Sequence, residues 1–174
     1  MKEWIRDIEI AFSLAAQVLV FFKPTIVKET SMEPTLHNND YIFLSRQAYK
    51  HKIFGEPERE DSGVFHTNLK TETGKEKLLI KRIIGLPGDT IDLEDGLVYL
   101  NGTPLEEDYI PIGGTMPHDA GTHFEVPEGS VFCLGDNRGV SKDSRYSDVG
   151  FVPIDDIVGK ALIRLYPFNS ICRF

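Results

Sequence analysis

The chain has 174 residues, 41% of them hydrophobic and 26% charged, with a formal net charge of −8. That length holds one packed core with a small appendage and excludes two large domains. The negative balance, unbroken by any long basic run, excludes a nucleic-acid partner held through phosphate contacts.

The N-terminus begins with a mixed-charge stretch, KEWIRDIE, followed by an apolar run from Ile10 to Phe22, IAFSLAAQVLVFF, interrupted only by Ser13 and Gln17. A helical span needs about 20 mostly apolar residues, and counting from Trp4 reaches that length with Arg6, Asp7 and Glu9 near one end, where long side chains snorkel. The segment reads as a retained anchor over residues 1–23, which makes membrane lipid a partner, or alternatively as a buried or interfacial helix. No small-residue cleavage pattern follows it. Lys2 and Arg6 on one side balance Lys23 and Lys28 on the other, so loop charge sets no orientation.

Beyond Pro24 the pattern changes to short apolar runs, TIVKE, DYIFLS, KLLIKRIIG, TIDL, LVYL, SVFCL and IVGKALIRLY, bounded by Gly, Pro, Asn and Asp. These are strand and turn signals, so the chain is expected to be mainly β, with antiparallel sheets over residues 24–174. Asn101-Gly102 between LVYL and TPL predicts a type I′ hairpin, because both residues tolerate positive φ. The stretch 106–128, dense in Gly, Pro, His and acidic residues, reads as loops within an insertion at about 91–130. KHKIFGEPEREDSG reads as an exposed connection. Cys133 and Cys172 match no zinc or disulfide spacing, and His37, His51, His66, His118 and His123 form no HExxH-type pair, so no metal or other cofactor is expected.

Three polar constellations stand out. In SMEPTL, Ser31 reads equally as a turn residue, a helix cap or a nucleophile. In KLLIKRIIGLPGD, Lys81 lies among Leu79, Ile80 and Ile83. Strand alternation puts it on the face of Leu79 and Ile83, either buried there or snorkelling from an edge. In LGDNRGVSKDSR, after an apolar strand, Ser141, Asp143, Ser144 and Arg145 make either a self-capping loop or the wall of a site.

Together and in this order, SMEPTL, KRIIGLPGD and GDNRGVSKDSR resemble the signature boxes of type I signal peptidases in their Gram-positive-like form, membrane-bound serine proteases that remove secretion signals. The resemblance covers residues 26–168. It implies a partly barrel-like β fold and a serine endopeptidase on the outer side of the cytoplasmic membrane, single-pass, with exported preproteins as substrates. It also implies that Ser31 is the nucleophile and Lys81 the general base, that Ser141 hydrogen-bonds the Lys81 amine, and that Asp143 and Arg145 brace the wall. Met32 would line the peptide site, and the substrate would bind extended along Ile26, Val27, Leu79 and Ile80. Gly135, Asp136 and Asn137 would shape the site.

Two departures accompany it. Glu29 stands two residues before Ser31 where the family has Gly or Ser, removing a hydroxyl oxyanion donor, and EDSGVFHT alters the family's Gly-Asp box while keeping Asp61. The rival readings are a catalytically silent membrane-bound module and a repressor-type self-cleaving Ser-Lys protein, although nothing resembling a DNA-binding domain precedes Ser31.

Overall fold

The computed structural model describes residues 2–49, 55–111 and 113–173, with side chains for all of these except 2–3, 14–18 and 172–173. His51 and the centre of the connection read from KHKIF lie outside them. Helix α1 (Lys2–Phe21) is followed directly by β1 (Phe22–Ile26). Then come β2 (Tyr41–Ser45), β3 (Ser62–Lys70), β4 (Glu76–Gly85), β5 (Thr90–Glu94), β6 (Leu97–Leu100) and β7 (Thr103–Pro104). The chain ends with β8 (His123–Glu125), β9 (Ser130–Leu134), β10 (Val152–Pro153), β11 (Ile157–Tyr166) and β12 (Cys172–Arg173).

All pairings between these strands are antiparallel, as the bounded apolar runs imply. The larger sheet has the order β1-β2-β11-β3-β4-β9-β10, with β12 also on β11, and the smaller has β7-β6-β5-β8. The hairpin is where the sequence puts it: Asn101 and Gly102 take φ of 51° and 77°, and Leu100 faces Thr103. Pro87-Gly88 closes the turn after β4, with the Asp89 N–H donating to Leu86 O at 3.0 Å.

Two elements depart from the sequence reading. β3 takes Ser62 and Gly63 out of the expected exposed connection, because Val64 and Phe65 are buried on its two opposite faces while its edge pairs with β4. β8 lies within the expected loops, where Phe124 packs on Phe132 of the larger sheet at a ring separation of 4.7 Å. That contact belongs to a core that also holds Ile84, Ile91 and Val98 and joins the two sheets. Burying these side chains contributes about 1.5–3 kcal/mol each.

The larger sheet curls. β1 and β4 are separated by three strands in its order, yet residues from both line one groove floored by Ile42, Leu44 and Val64. On β4, pairing with β9 begins only at Arg82, so among the described residues the groove-side edge of 77–81 carries no strand.

Candidate active site

Ser31 starts a tight turn just past β1. The Glu33 N–H donates to Thr30 O at 3.1 Å and the Leu36 N–H to Met32 O at 2.8 Å, while Met32 and Leu36 anchor the turn in the core beneath. Lys81 arrives on β4, paired in register with Gly63 of β3. Its Nζ donates to Ser31 Oγ at 2.7 Å and to Ile80 O at 2.9 Å. At 1% exposure the ammonium is poorly solvated. Burial pulls the Lys81 pKa down to about 8, against the opposing pull of Asp143 and then Glu29.

The third wall follows β9. Gly135 makes a close approach: a Cβ there would lie 2.1 Å from Ser141 Oγ and 2.5 Å from Ser31 O, so only glycine fits where the two loops meet. The Asn137 N–H donates to Ser31 O at 3.1 Å and its side chain to Thr30 O at 3.2 Å. Arg145 grips Asp143 with two nitrogens, at 2.8 and 2.9 Å, both residues being fully buried. Asp143 in turn accepts from the Gly135 N–H at 3.0 Å. This bidentate pair fixes the loop, because leaving either charge buried alone is costly. Ser144 Oγ accepts from the Cys133 N–H at 2.9 Å, which ties the loop to β9.

The residues singled out from sequence therefore converge, with two exceptions in detail. The Ser141 hydroxyl is buried but makes no hydrogen bond; the Lys81 amine is bound to Ser31 and Ile80 instead. Met32 does not line the groove. It is 1% exposed, its thioether filling the core with Leu36 and Val27, because the turn points Ser31 and Met32 in different directions. Ile26, Val27, Leu79 and Ile80 do line the groove with Ser31 and Lys81.

Two buried ion pairs escaped the sequence reading. Arg82 donates to Asp136 at 2.6 and 2.8 Å. Burial works against its charge, but the Asp136 bonds outweigh it and hold its pKa up. Arg138 joins Glu107 and Thr115 of the insertion and donates to Gly135 O at 2.9 Å. The partners are 54 and 31 residues apart, so no local pattern signals them. Cys133 is a fully buried thiol whose pKa burial pushes well up, so it is not a nucleophile.

An amine that is readily neutral, 2.7 Å from a serine hydroxyl, can take that hydroxyl's proton. Among the described residues no group accepts from the Ser31 N–H, which leaves it available to an oxyanion. Glu29 turns to Lys77 and supplies no donor there.

The family model described as "Signal peptidase, peptidase S26" matches residues 1–166. A signal peptidase I of Bacillus licheniformis is 35% identical over 97% of this chain and 90% of its own. Signal peptidase IB of Staphylococcus aureus is 34% identical over 98% of this chain and 92% of its own. A crystal structure of a signal peptidase I from Enterococcus faecalis aligns with 60% of this chain and 96% of its own at 34% identity, with a TM-score of 0.47. With a family model spanning residues 1–166 and relatives above 30% identity along nine-tenths of their length, this chain belongs to the signal peptidase family, peptidase S26.

Proposed function

We propose that this protein removes signal peptides from exported preproteins, with Ser31 as nucleophile and Lys81 as general base. The observation that carries the reading is the buried Lys81 amine 2.7 Å from Ser31 Oγ. With the amine neutral, the same separation lets the hydroxyl donate. Lys81 takes the proton as Oγ attacks the scissile carbonyl carbon, and the oxyanion meets the Ser31 N–H. When the C–N bond breaks, Lys81 returns the proton to the departing amine. Water then attacks the acyl carbon with Lys81 again taking its proton, the bond from that carbon to Ser31 Oγ breaks to free the new C-terminus, and Lys81 returns the proton to Oγ. Asp143 and Arg145 hold the loop against Ser31. The preprotein lies extended between the edges of β1 and β4, along Ile26, Val27, Leu79 and Ile80.

The family is membrane-associated. No helix among the described residues is long and apolar enough to cross a membrane by hydropathy. We propose that α1, exposing Trp4, Ile8, Phe12, Leu19 and Phe21, nonetheless holds the chain at the outer face of the cytoplasmic membrane. On this reading residues 1–23 are the anchor and 24–174 the catalytic unit, with an insertion at about 91–130.

The test is to incubate the full chain, in detergent, with a preprotein and to determine the mass and N-terminus of the product. A single cut at the end of the signal segment is expected, absent in Ser31→Ala and in Lys81→Arg, whose guanidinium stays protonated above about pH 12. Substantial cleavage by a folded Lys81→Arg protein would overturn the assignment of the base.

A further inference from the structure

The groove between β1 and β4 carries an ion pair that the chemistry above leaves unused. Glu29, just past β1, and Lys77, on β4, are joined carboxylate to ammonium, so the contact links the two walls. Glu29 lines the groove, and Lys77 is not among its lining residues. The Glu29 side chain is 46% exposed, so the carboxylate that lines the groove is open to a peptide lying in it.

The backbone makes the choice of residue notable. Glu29 has a φ of 82°, in the left-handed region that glycine occupies without strain. A glutamate held there against its preference marks a position where the side chain has a use. Of the other cations of the groove, Lys81 feels the Glu29 charge but its Nζ is bonded to Ser31 Oγ and Ile80 O, and the remaining two are less well placed to answer it. The Lys28 Nζ donates to Asn39 Oδ1 at 3.2 Å, and Lys23 lies on β1 opposite Leu44, eight residues before Ser31 in the chain.

We propose that Glu29 is a specificity-determining residue: a carboxylate two residues before the nucleophile that favours a basic and disfavours an acidic side chain at the peptide position beside it, displacing or sharing Lys77. This rests on the protease reading above. The pair is partly exposed, so the preference is modest and sensitive to salt.

The experiment uses peptides that carry Lys, Gln or Glu at one position at a time on either side of the scissile bond, cleaved by the full chain in detergent at low salt. Each variant's kcat/KM is divided by its own value for the Gln peptide. At one position the wild-type protein should favour Lys over Glu by about 3- to 10-fold, falling towards unity in about 1 M NaCl. Glu29→Gln should erase the preference and Glu29→Lys should reverse it. Glu29→Gly, which suits the backbone, should match Glu29→Gln, separating charge from strain. Where a variant cleaves too slowly to assay, the Kd of the same peptides for that variant in a Ser31→Ala background replaces the rate. A wild-type protein blind to charge at every position, or a preference that survives Glu29→Gln, would overturn the role of Glu29. Absence of cleavage of any peptide by the wild-type protein would overturn instead the protease reading beneath it.

Discussion

Lys81 is the only buried lysine among the described residues; its burial is a cost, and on the proposed reading it is also what makes the amine a base. With its pKa drawn down to about 8, kcat/KM should rise with pH along a limb centred near that value. A profile flat from about pH 6 to 10, on a peptide with no titrating group, would count against Lys81 as base. Removing the Glu29 charge removes one of the pulls that favour the ammonium, so Glu29→Gln should move the limb to lower pH; a move upward would contradict this. The same shift is a statement about stability. The unfolded chain holds this proton up to about pH 10.5 and the folded chain only to about 8. Between these values the unfolded state binds more protons, and stability rises with pH. The destabilisation is complete below about pH 8 and gone above about 10.5; at about 1.36 kcal/mol per pH unit it amounts to about 3 kcal/mol. Lys81→Met, similar in length and uncharged, should be inactive yet more stable at neutral pH by about 1–3 kcal/mol in denaturant unfolding, with the gain shrinking towards pH 10. Ser31 and Lys81 were legible in sequence because three boxes recur in family order. The bare Ser141 hydroxyl and the Glu107–Arg138 pair were not, since the first depends on how two loops of the larger sheet meet and the second on how a loop of each sheet meets the other.

At the scale of the elements, strand runs bounded by turn residues were readable because burial alternates along them, as in β2 and β5. β3 was not readable as a full strand. Its first residues are Ser62 and Gly63, poor strand formers, and it exists because β4 and β11 flank it on both edges. The hairpin at Asn101 does more than turn the chain. The Asn101 side chain accepts from the Thr90 N–H and donates to Asp89, both at 2.9 Å, tying the small sheet to the turn after β4. Asn101→Ala should therefore lower stability by about 1–2 kcal/mol in thermal or denaturant unfolding while kcat is retained, because the hairpin touches neither Ser31 nor Lys81. Gly135 sits at the opposite extreme. An alanine there must push the Ser31 or Ser141 loop away. A displacement of about 1 Å costs on the order of 100-fold in rate, so Gly135→Ala should lose at least that much kcat in a protein that still folds. A variant as active as wild type would mean that the two loops can separate without moving the Ser31 hydroxyl.

For the molecule as a whole, the question left by both sequence and fold is what α1 does. It ends at Phe21, and β1 begins at once, with Phe22 paired to Ser45 of β2, so helix and groove wall are one continuous stretch of chain. The apolar run was legible, but its length and the charges at Arg6, Asp7 and Glu9 left a span and an interfacial helix both open. Large apolar side chains on both ends of α1 face outward, an arrangement that water disfavours and a bilayer or its surface accommodates. If α1 spans the bilayer, the full chain should stay in the membrane pellet through alkaline carbonate extraction. If it lies in the interface, carbonate should release it while neutral high salt does not. The cut that separates anchoring from catalysis is set by the fold: a chain beginning at Phe22 keeps every β1–β2 pair, whereas one beginning at Pro24 loses two, Phe22 with Ser45 and Lys23 with Leu44. The Phe22 form should be released from membranes, unfold with the same midpoint as the full chain, and cleave a soluble peptide at a comparable kcat. It should act more slowly than the full chain only on a preprotein held in vesicles, where the anchor raises the local concentration of enzyme. Equal rates on the vesicle-held preprotein would deny α1 any part in bringing enzyme and substrate together.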